Sequence, residues 1–576
     1  MKPWHHGLIG WASALLLLSL ATAASPAEQA YRFQKFAVAA DHELASAAGA
    51  EVLRQGGNAA DAAAATMLAL GVVSPGSSGL GGGGFALYYR ASDQSVTFLD
   101  FRERAPAAAT KTLFEGQTSQ GEEPASKPSQ LGGLATGVPG EPAGIEELLR
   151  RFGKIDRNTV TGPAIRLAEK GFAVGPSFAR LAQVFAGQMK RDPLMATWFH
   201  KGTIAEGQVI RNAPLGKSLR AFAKSGAAPF YEGWIAKAIV AANRKAGGIL
   251  TAEDLRAYRV QERKPLDARR LGYRWVTAPP PSAGGYTLLA SLQLLDRWTS
   301  PDARKNLSGP ALYHAFAESW KGPYLDRARY FGDPDFVDVP LEELEDANRT
   351  ETRAAFYRPT LAMDPLFFEQ RLDFAPDEAN QPDNAGTSHL CVVDAEGNVA
   401  SVTTTVNLPF GARYTAAGIV MNDEMDDFAS EVGEANAFGL PGGAPNLPEP
   451  GKRPVSSMSP TIVFDKDGPL LCVGGSGGSR IITATQQVAW HHLVRGLPVH
   501  EAVSHARVHH QGYPNRIRFE EVRPLPIPEL QKLTARGHEL ERSHHNAVVQ
   551  AIAIDRSTNT LSAASDPRKG GIPAGE

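Results

Sequence analysis

The stretch DNAGTSHLCVVDAEGNVASVTTTVN, residues 383–407, contains two strand-like runs rich in β-branched residues, joined by the turn sequence DAEGN. Alternation on both sides of a polar, glycine-containing turn is typical of an antiparallel β-hairpin. With the turn centred on Glu396, Thr387 lies nine residues before the centre and Thr405 nine residues after it. Antiparallel pairing then sets Thr387 opposite Thr405, to within one residue of register.

The Gly386–Thr387 peptide bond gives this hairpin its functional interest. If the chain were cut there, Thr387 would carry a hydroxyl and a free α-amine on one residue. An α-amine has a pKa of about 8, so much of it can act as a base at neutral pH. This combination is the N-terminal threonine nucleophile. The plainer interpretation is an ordinary threonine-rich strand, since β-branched residues favour strands in any case.

The composition narrows the classes of protein. The chain has 576 residues, enough for a large core, with 59 Lys+Arg against 61 Asp+Glu. A chain without a basic excess is poorly suited to nucleic acid, whose phosphates must be neutralised. The 57 glycines and 41 prolines indicate many turns and loops rather than a helical rod.

Residues 1–24 are predicted to be a secretory signal peptide. Lys2 precedes the apolar run 8–20, and the small residues 21–23 form a cleavage site. The run is short for a membrane anchor, and no other stretch approaches the roughly 18 uninterrupted apolar residues of a span. We therefore expect a soluble protein without a membrane partner, located in the periplasm or secreted.

The two cysteines lie in apolar, strand-like runs, Cys391 in HLCVVD and Cys472 in PLLCVGG. These surroundings favour free, buried thiols that pack as small hydrophobic groups. A disulfide is the alternative, and the spacing of the two cysteines does not match that of a zinc site. The histidine pairs 491–492, 509–510 and 544–545 do not have metal-ligand spacing either, since adjacent residues diverge on a helix or strand. No metal is predicted.

The character of the chain changes at the polar stretch APDEANQPDNAG, residues 375–386. Before it, helices are predicted over much of 42–70 and 140–260; after it, short apolar strands alternate with turns. Glycines 81–84 precede a strand and lack the Lys-Ser/Thr of a phosphate loop, so close backbone packing is expected there. The second half adds an acidic cluster, NDEMDDF (422–428), and a serine pair in KRPVSSMSP (452–460). Its glycine turn, GGSGGSR (474–480), has backbone N–H groups that can hold an oxyanion.

Together these stretches resemble the gamma-glutamyltranspeptidase family. In the second half the resemblance rests on TSHLCVVD, TVN, NDEMDDF, RPVSSMSPT, GGSRIIT and ASDPR. In the first half it rests on GGNAADAA, LGGGGF, LDFRERAP, GVPGEPAG, GGILTAEDL, PPPSAGG and YLDRARYFGDPDFV. It covers nearly all of the chain after the signal peptide, and many motifs together are more specific than any one of them.

The resemblance implies an α+β fold of the N-terminal-nucleophile hydrolase type, a four-layer αββα sandwich built from both pieces of a self-cleaved precursor. Cleavage between Gly386 and Thr387 would give a large subunit, residues 25–386, and a small subunit, residues 387–576. Thr387 would be the nucleophile and Thr405 would orient it. The amides of Gly477 and Gly478 would form the oxyanion hole.

The implied activity is gamma-glutamyl transfer and glutathione hydrolysis, without a cofactor. The γ-glutamyl group of glutathione or a related amide would pass through an ester on Thr387 to water or to an amino acid or dipeptide. The zwitterionic glutamyl head needs a cation at one end and carboxylates at the other. Arg102 would bind its α-carboxylate. The remaining implied contacts are Ser456 and Ser457 to the carboxylate, and Asn407, Glu424 and Asp427 to the α-ammonium.

Two positions depart from the family pattern. The family often has an aromatic hydroxyl in the lid segment after the DDF motif, where this sequence has Phe438. A hydrogen bond that closes the lid over the substrate would therefore be lost. The turn GGSGGSR also lacks the proline commonly found there. Neither departure changes the nucleophile.

Alternatives of other classes stay open at this stage. GGSGG also matches the elbow of serine hydrolases, with Ser476 as the nucleophile and His505 or His509 as its partner, although no run of βα units precedes it. An exported amino-acid- or peptide-binding protein could use Arg102 and the acidic cluster without turnover. Within the same fold, an acylase for glutaryl-cephalosporin or poly-γ-glutamate shares the acyl end of the substrate.

Two neighbours of these residues have plainer roles. His389, on the same strand face as Thr387, is expected to be buried and hydrogen-bonded rather than a general base. Glu103, beside Arg102, is expected to be solvated or to form a structural ion pair.

Overall fold

The computed structural model describes residues 29–117, 126–368 and 386–576. The predicted signal peptide, residues 1–24, lies outside these ranges. So does the greater part of the polar stretch before Thr387, residues 375–385.

Helices form where the sequence supplies caps and an apolar face. Asn58 caps the second helix by accepting from the amides of Ala60 and Asp61, and the Asn58 N–H donates to the Asp61 carboxylate, which completes a capping box. No helix of the described ranges is long and apolar enough to cross a bilayer. The helices are α1 Glu43–Arg54, α2 Ala59–Val73, α3 Glu141–Phe152, α4 Arg157–Lys170, α5 Pro176–Val184, α6 Ala186–Met189, α7 Pro193–Ala196, α8 Ala213–Ser225, α9 Ala228–Tyr231, α10 Trp234–Lys245, α11 Ala252–Arg256, α12 Gly284–Trp298, α13 Pro301–Asn306, α14 Gly309–Tyr330, α15 Leu341–Leu344, α16 Ala347–Ala354, α17 Arg480–Leu493, α18 Val499–Ser504 and α19 Ile527–Thr534.

The strands are short and concentrated in the second half of the chain, as the alternating pattern predicts. They are β1 Tyr31–Phe33, β2 Ala37–Ala40, β3 Gly83–Arg90, β4 Ser95–Phe101, β5 Phe172–Ala173, β6 Val209–Ile210, β7 Gln261–Arg263, β8 Leu266–Arg270, β9 Tyr273–Thr277, β10 Gly386–Val393, β11 Val399–Asn407, β12 Thr415–Ala416, β13 Ile419–Val420, β14 Thr461–Phe464, β15 Pro469–Ser476, β16 Val508–His509, β17 Arg516–Glu520, β18 Glu539–Ser543, β19 Val548–Asp555, β20 Thr560–Ala564 and β21 Ala574–Gly575.

Two seven-stranded sheets organise the molecule, each containing strands from both sides of residue 386. One has the order β21-β2-β10-β11-β3-β4-β7 and the other β1-β20-β19-β15-β14-β9-β8. The central strands β10 and β11 of the first sheet are the predicted hairpin. Strand β15, central in the second sheet, leads into the glycine turn.

Side chains that alternate along the strands create three apolar layers. One layer lies between the two sheets and includes Phe85, Leu87 and Val393 from the first sheet with Ile462 and Ile552 from the second. The outer face of the first sheet packs on α1 to α4, and that of the second packs on α12, α14, α17 and α18. The predicted four-layer αββα architecture is confirmed.

The hairpin register is the predicted one. Ser388 pairs with Thr404 and Val393 with Val399, which sets Thr387 opposite Thr405 when the pairing is extended by one residue. At that point the ladder is irregular, and the next pair is Gly386 with Asn407. A bulge of this kind bends a strand and re-aims its side chains.

The expectation of free thiols is wrong. Cys391 of β10 and Cys472 of β15 form a disulfide across the layer between the two sheets, with Cα atoms 6.0 Å apart. Both cysteines are fully buried, as predicted. The sequence pattern predicted that both cysteines are buried but not that they pair, because the two strands belong to different sheets and meet only when the sheets stack.

Candidate active site

The hydroxyls of Thr387 and Thr405 meet at the bulged end of the hairpin. Their Oγ1 atoms are 3.1 Å apart, and both side chains are buried. Thr387 Oγ1 donates to the Gly386 carbonyl oxygen at 2.6 Å and Thr405 Oγ1 donates to the same oxygen at 2.8 Å. The Asn407 N–H donates to Thr405 Oγ1 at 2.8 Å. Two hydroxyls therefore converge on the carbonyl of the Gly386–Thr387 peptide bond.

The glycine run before β3 lets the backbone pack directly against this pair. A Cβ on Gly82 would lie 1.8 Å from the Thr405 carbonyl oxygen, and one on Gly84 would lie 2.2 Å from that of Thr403. Any side chain at these positions would push β11 away from β3. The predicted close backbone packing of glycines 81–84 is confirmed.

Lys569 and Asp41 complete the surroundings of the nucleophile, and the sequence interpretation missed both. Lys569 Nζ donates to the Thr387 carbonyl oxygen at 2.8 Å and to the Asp41 carboxylate at 2.6 Å. Asp41 is buried and also accepts from Gln550 Nε2 at 2.7 Å. Lys569 directly follows the family motif ASDPR. This position beside the motif was the only sign in the sequence that Lys569 belongs to the site.

The glycine turn after β15 faces the same region. Gly477 and Gly478 have φ angles of 140° and 61°, a range that favours glycine. A Cβ on Gly478 would lie 2.4 Å from the Phe438 ring, so this ring packs directly on the turn. Among the described residues, neither amide N–H of Gly477 or Gly478 has a backbone acceptor, which leaves both able to hold an oxyanion.

The serine-hydrolase alternative is not supported by the geometry. Ser476 Oγ donates to the Asp41 carboxylate at 3.4 Å. His505 stacks on His491 and contacts the Ala506 carbonyl, and His509 bonds to the side chains of Thr483 and Gln511. Neither histidine contacts Ser476, so the nucleophile–base hydrogen bond of a catalytic pair is not formed.

His389 has the structural role expected of it. The ring is fully buried, and its Nδ1 lies 2.8 Å from the Thr403 hydroxyl. Burial lowers the pKa of His389 to about 3, so the ring stays neutral at working pH. A Cβ on Gly474 of β15 would lie 2.3 Å from this ring, so the histidine fills the space between the sheets.

The residues predicted to bind the glutamyl head form one buried charged cluster. Arg102 contacts Glu424 through Nη1 and lies 2.5 Å from the Asp427 carboxylate through Nη2. Weaker contacts of 3.4 Å join Arg102 to the carbonyls of Pro454 and Val455. These groups come from distant parts of the chain, and all three charged side chains are buried.

Burial dominates the electrostatics of this cluster. It raises the pKa of Glu103 to about 8, although Arg102 at 3.9 Å opposes the shift. It also raises the pKa of Glu424 well above its ordinary value, again against the attraction of Arg102. Glu103 is fully buried and therefore not solvated, and its carboxylate lies 3.9 Å from Arg102, so of the two expected roles the structural ion pair is the one that the structure shows.

The serine pair and Asn407 flank the cluster. The Ser456 N–H donates to the Pro281 carbonyl at 3.0 Å, and the Ala283 N–H donates to the Ser456 carbonyl at 2.9 Å, so the PPPSAGG turn holds the pair in place. Ser457 is also buried. Asn407 has a φ of 74°, and its Nδ2 donates to the Asp423 carbonyl at 2.9 Å. The Asn407–Asp423 contact links the end of strand β11 to the acidic segment.

One group of described residues has the composition of a metal site. The ligand atoms of His314, Glu318 and His538 lie within 4.8 Å of one another. His314 Nδ1 and His538 Nε2 are 2.7 Å apart, and Lys321 Nζ donates to Glu318 at 2.6 Å. The group is therefore hydrogen-bonded internally, and a lysine already neutralises its carboxylate.

The facing sheets, the helical layers and the threonine at a bond open to self-cleavage define the class of N-terminal-nucleophile hydrolases. The solved cephalosporin acylase from Bacillus halodurans has this fold: it superposes with a TM-score of 0.79 and 26% identity over 95% of this chain and 97% of its own. Gamma-glutamyltranspeptidase from Helicobacter pylori superposes with a TM-score of 0.52 and 34% identity, over 56% of this chain and 92% of its own.

The family model of gamma-glutamyltranspeptidase matches residues 45–576. Glutathione hydrolase proenzyme of Escherichia coli (strain K12) is 38% identical over 545 residues, which cover 92% of this chain and 90% of that protein. Glutathione hydrolase 3 of Arabidopsis thaliana is 35% identical over 575 residues, with 93% and 87% covered. The chain belongs to the gamma-glutamyltranspeptidase family.

Proposed function

We propose that this protein is a gamma-glutamyltransferase and glutathione hydrolase that cuts itself between Gly386 and Thr387. The observation that carries the proposal is the convergence of the Thr387 and Thr405 hydroxyls on the Gly386 carbonyl oxygen, at 2.6 and 2.8 Å. Family membership and the relatives named glutathione hydrolase support the substrate class. The cut would give subunits of residues 25–386 and 387–576.

The self-cleavage step follows from this geometry. Thr387 Oγ1 attacks the Gly386 carbonyl carbon, and the Thr405 hydroxyl stabilises the charge that develops on the carbonyl oxygen. The C–N bond breaks, the nitrogen takes up the proton that the Thr387 hydroxyl loses on attack, and Gly386 becomes an ester of the Thr387 hydroxyl. Water hydrolyses the ester, which leaves a Gly386 carboxylate and a Thr387 with free hydroxyl and α-amine.

Turnover uses the same atoms on a substrate. The α-amine takes the proton of the Thr387 hydroxyl as that oxygen attacks the γ-carbonyl, and then gives it to the leaving amine. Lys569 Nζ, which donates to the Thr387 carbonyl oxygen at 2.8 Å, would help to hold this residue in position. Gly477 and Gly478 amides would hold the oxyanion. Water or the amine of an amino acid or dipeptide then takes the γ-glutamyl group from Thr387.

The charged cluster would select the glutamyl head. Arg102 binds the α-carboxylate, helped by the hydroxyls of Ser456 and Ser457. The α-ammonium is received by three further side chains, those of Asn407, Glu424 and Asp427. Since Glu424 and Asp427 hold Arg102 in this structure, the ammonium would compete with Arg102 for them and release the guanidinium to the carboxylate.

We also propose that the protein is exported to the periplasm or secreted. The predicted signal peptide is the support for this location. Glutathione and related γ-glutamyl amides would be met there as substrates, with amino acids or dipeptides as acceptors. No cofactor is needed for the chemistry of Thr387.

The decisive experiment measures p-nitroaniline release from γ-glutamyl-p-nitroanilide, with and without glycylglycine, and compares wild type with Thr387→Ala. Wild type should run as two bands of roughly 40 and 20 kDa on a denaturing gel and release p-nitroaniline faster with glycylglycine. Thr387→Ala should run as one band and be inactive. Ser476→Ala is the matched control and should be cleaved and active. A cleaved wild type that releases nothing would refute the glutamyl assignment.

An acylase for glutaryl amides is the second candidate, favoured by the superposition on cephalosporin acylase. A glutaryl group has no α-ammonium, so it would leave Glu424 and Asp427 without the cation that the substrate supplies. We therefore expect glutaryl-p-nitroanilide to be a much poorer substrate than the γ-glutamyl compound. Equal rates on the two would reverse the order of the candidates.

A further inference from the structure

The helix α14 ends beside the candidate site. Tyr324, six residues before the end of the helix, donates from its hydroxyl to the Ser479 carbonyl at 2.6 Å, next to the turn predicted to hold the oxyanion. The carbonyls of Ala328 and Arg329 would lie 2.8 and 3.2 Å from a Cβ on Gly443. Between these two contacts the helix carries Arg327, which is 4% exposed.

The Gly443 segment continues to the glutamyl-head cluster. Asn446, three residues on, donates from Nδ2 to the Asp427 carbonyl at 2.7 Å and accepts the Val455 N–H at 3.0 Å. Arg327 therefore lies between the segment that holds Asp427 and the turn that would hold the oxyanion. Its electrostatic neighbours are Asp427, Tyr324 and Arg102.

Arg327 is a buried cation without a counterion. Among the described residues its guanidinium forms no ion pair, and its Nε is buried without a hydrogen-bond partner. Burial lowers the pKa of Arg327 to about 10, against the attraction of Asp427. A buried, unpaired cation is strongly unfavourable unless something pairs with it. Such a group in a binding region indicates an anionic ligand.

Asp326, the acidic residue next to Arg327 in the helix, does not act as its counterion. Asp326 is bound by Arg353 at 2.5 and 2.6 Å and by Arg349 at 2.6 Å. The carboxylate next to Arg327 is thus neutralised twice. Arg102, in turn, is shared by Glu424 and Asp427. One arginine divided between two carboxylates is poorly placed to neutralise a third one without help.

We propose that Arg327 binds a substrate carboxylate and is, with Arg102, a second cation of the substrate site. This inference rests on the proposed γ-glutamyl activity. The ligand chemistry is a carboxylate, which has two sources in glutathione: the α-carboxylate of the glutamyl head and the carboxylate of the leaving dipeptide. A guanidinium can bind either one through two parallel hydrogen bonds.

The test compares Arg327→Met and Arg327→Lys with Arg329→Met, a control from the same helix whose guanidinium lies over the Tyr330 ring. Substrates are γ-glutamyl-p-nitroanilide, whose only carboxylate is on the glutamyl head, and glutathione. Loss of a charge-assisted contact predicts a rise in KM of about ten- to a hundredfold for Arg327→Met, with kcat within a few-fold. Arg327→Lys should recover part of the loss, and Arg329→Met should leave KM unchanged.

The two substrates separate the sources of the carboxylate. A higher KM on both assigns Arg327 to the glutamyl carboxylate, and a higher KM on glutathione alone assigns it to the leaving dipeptide. The melting temperature distinguishes a binding role of Arg327 from a structural one, because loss of a structural contact would lower it. Removal of an unpaired buried cation should leave the melting temperature unchanged or raise it. If Arg327 binds the head carboxylate, L-glutamate should raise the melting temperature less in Arg327→Met than in wild type.

An unchanged KM on both substrates would overturn the proposal. So would a lower melting temperature accompanied by an equal fall of kcat on both. If Arg327→Met fails to mature, the KM values of Arg327→Lys on the two substrates, compared with those of wild type, decide. A wild type that releases no p-nitroaniline refutes the proposed function instead, so the two failures are distinguishable.

Discussion

The two ends of the candidate site are built on different physical principles. At the nucleophile end, neutral hydroxyls on two neighbouring strands are positioned by backbone register, and the Thr387 and Thr405 oxygens are 3.1 Å apart. At the glutamyl-head end, Arg102 and Glu424 are 322 residues apart in sequence and meet as buried charges. The first end should be sensitive to small displacements and the second to the loss of a charge.

The largest effect is expected at the nucleophile end, from Thr405→Val. Valine keeps the shape of the side chain but removes the hydroxyl that donates to the Gly386 carbonyl oxygen. Loss of one such donor reduces rates by about 10²- to 10³-fold. Self-cleavage, followed on a denaturing gel over time, should slow by that factor.

Thr403→Val is the matched control for this prediction. Thr403 lies on the same strand and face, but its hydroxyl contacts His389 instead of Thr387. Cleavage at the wild-type rate in Thr405→Val would mean that strand geometry, not the hydroxyl, activates the bond.

The next effect is expected at the charged end, from Arg102→Met. The substitution leaves Glu424 and Asp427 buried without their cation, a change that destabilises proteins by about 3–5 kcal/mol. The substitution should therefore lower the free energy of unfolding and raise KM, whereas Arg327→Met should raise KM without loss of stability. Chemical denaturation and the anilide assay measure the two effects.

Arg104→Met is the control for the charged end, because Arg104 donates to the carbonyls of Gly451 and Ala257 and is half-buried. It should change the free energy of unfolding far less than Arg102→Met does. Equal losses in the two variants would show that the cluster adds nothing beyond ordinary arginine packing.

The difference between the nucleophile end and the glutamyl-head end also explains which parts of the site could be predicted from the sequence. The hairpin register follows from a period of two residues and one turn, both local properties, so Thr387 and Thr405 could be paired without a structure. The glutamyl-head residues came from family motifs, and nothing local indicated that Arg102 would be shared by two carboxylates. The roles of Lys569 and Arg327, the burial of Glu103 and the disulfide depend on how separate segments stack, which spacing along the chain does not encode.

The disulfide joins the two sheets behind the site, and its removal is expected to have the third-largest effect. Cys391→Ala with Cys472→Ala opens a link between residues 81 apart, which should lower the free energy of unfolding by about 2–4 kcal/mol. Activity should stay within a few-fold of wild type, since neither sulfur contacts Thr387. Denaturation with and without a reductant measures this: the reductant should shift the midpoint of wild type and not that of the double variant. A wild-type midpoint that ignores the reductant would contradict the link.

The smallest effect sharpens the comparison, because the nucleophile end contains the buried carboxyl of Glu141 in addition to the Asp41–Lys569 ion pair. Glu141 accepts from the hydroxyl of Thr404, the neighbour of Thr405, and burial raises the pKa of Glu141 from 4.5 to about 8. The folded protein therefore keeps a proton that the unfolded chain releases above its lower pKa, so stability falls as pH rises through this window. Glu141→Gln removes this pH dependence: between pH 6 and 8, the free energy of unfolding of wild type should fall by up to about 2 kcal/mol relative to that of the variant.

Glu147→Gln on the same helix is the control, since Arg150 and Arg151 lower the pKa of Glu147 to about 2 and it does not titrate between pH 6 and 8. Parallel stability curves for wild type and Glu141→Gln would show that Glu141 is already ionised in the folded protein at pH 6.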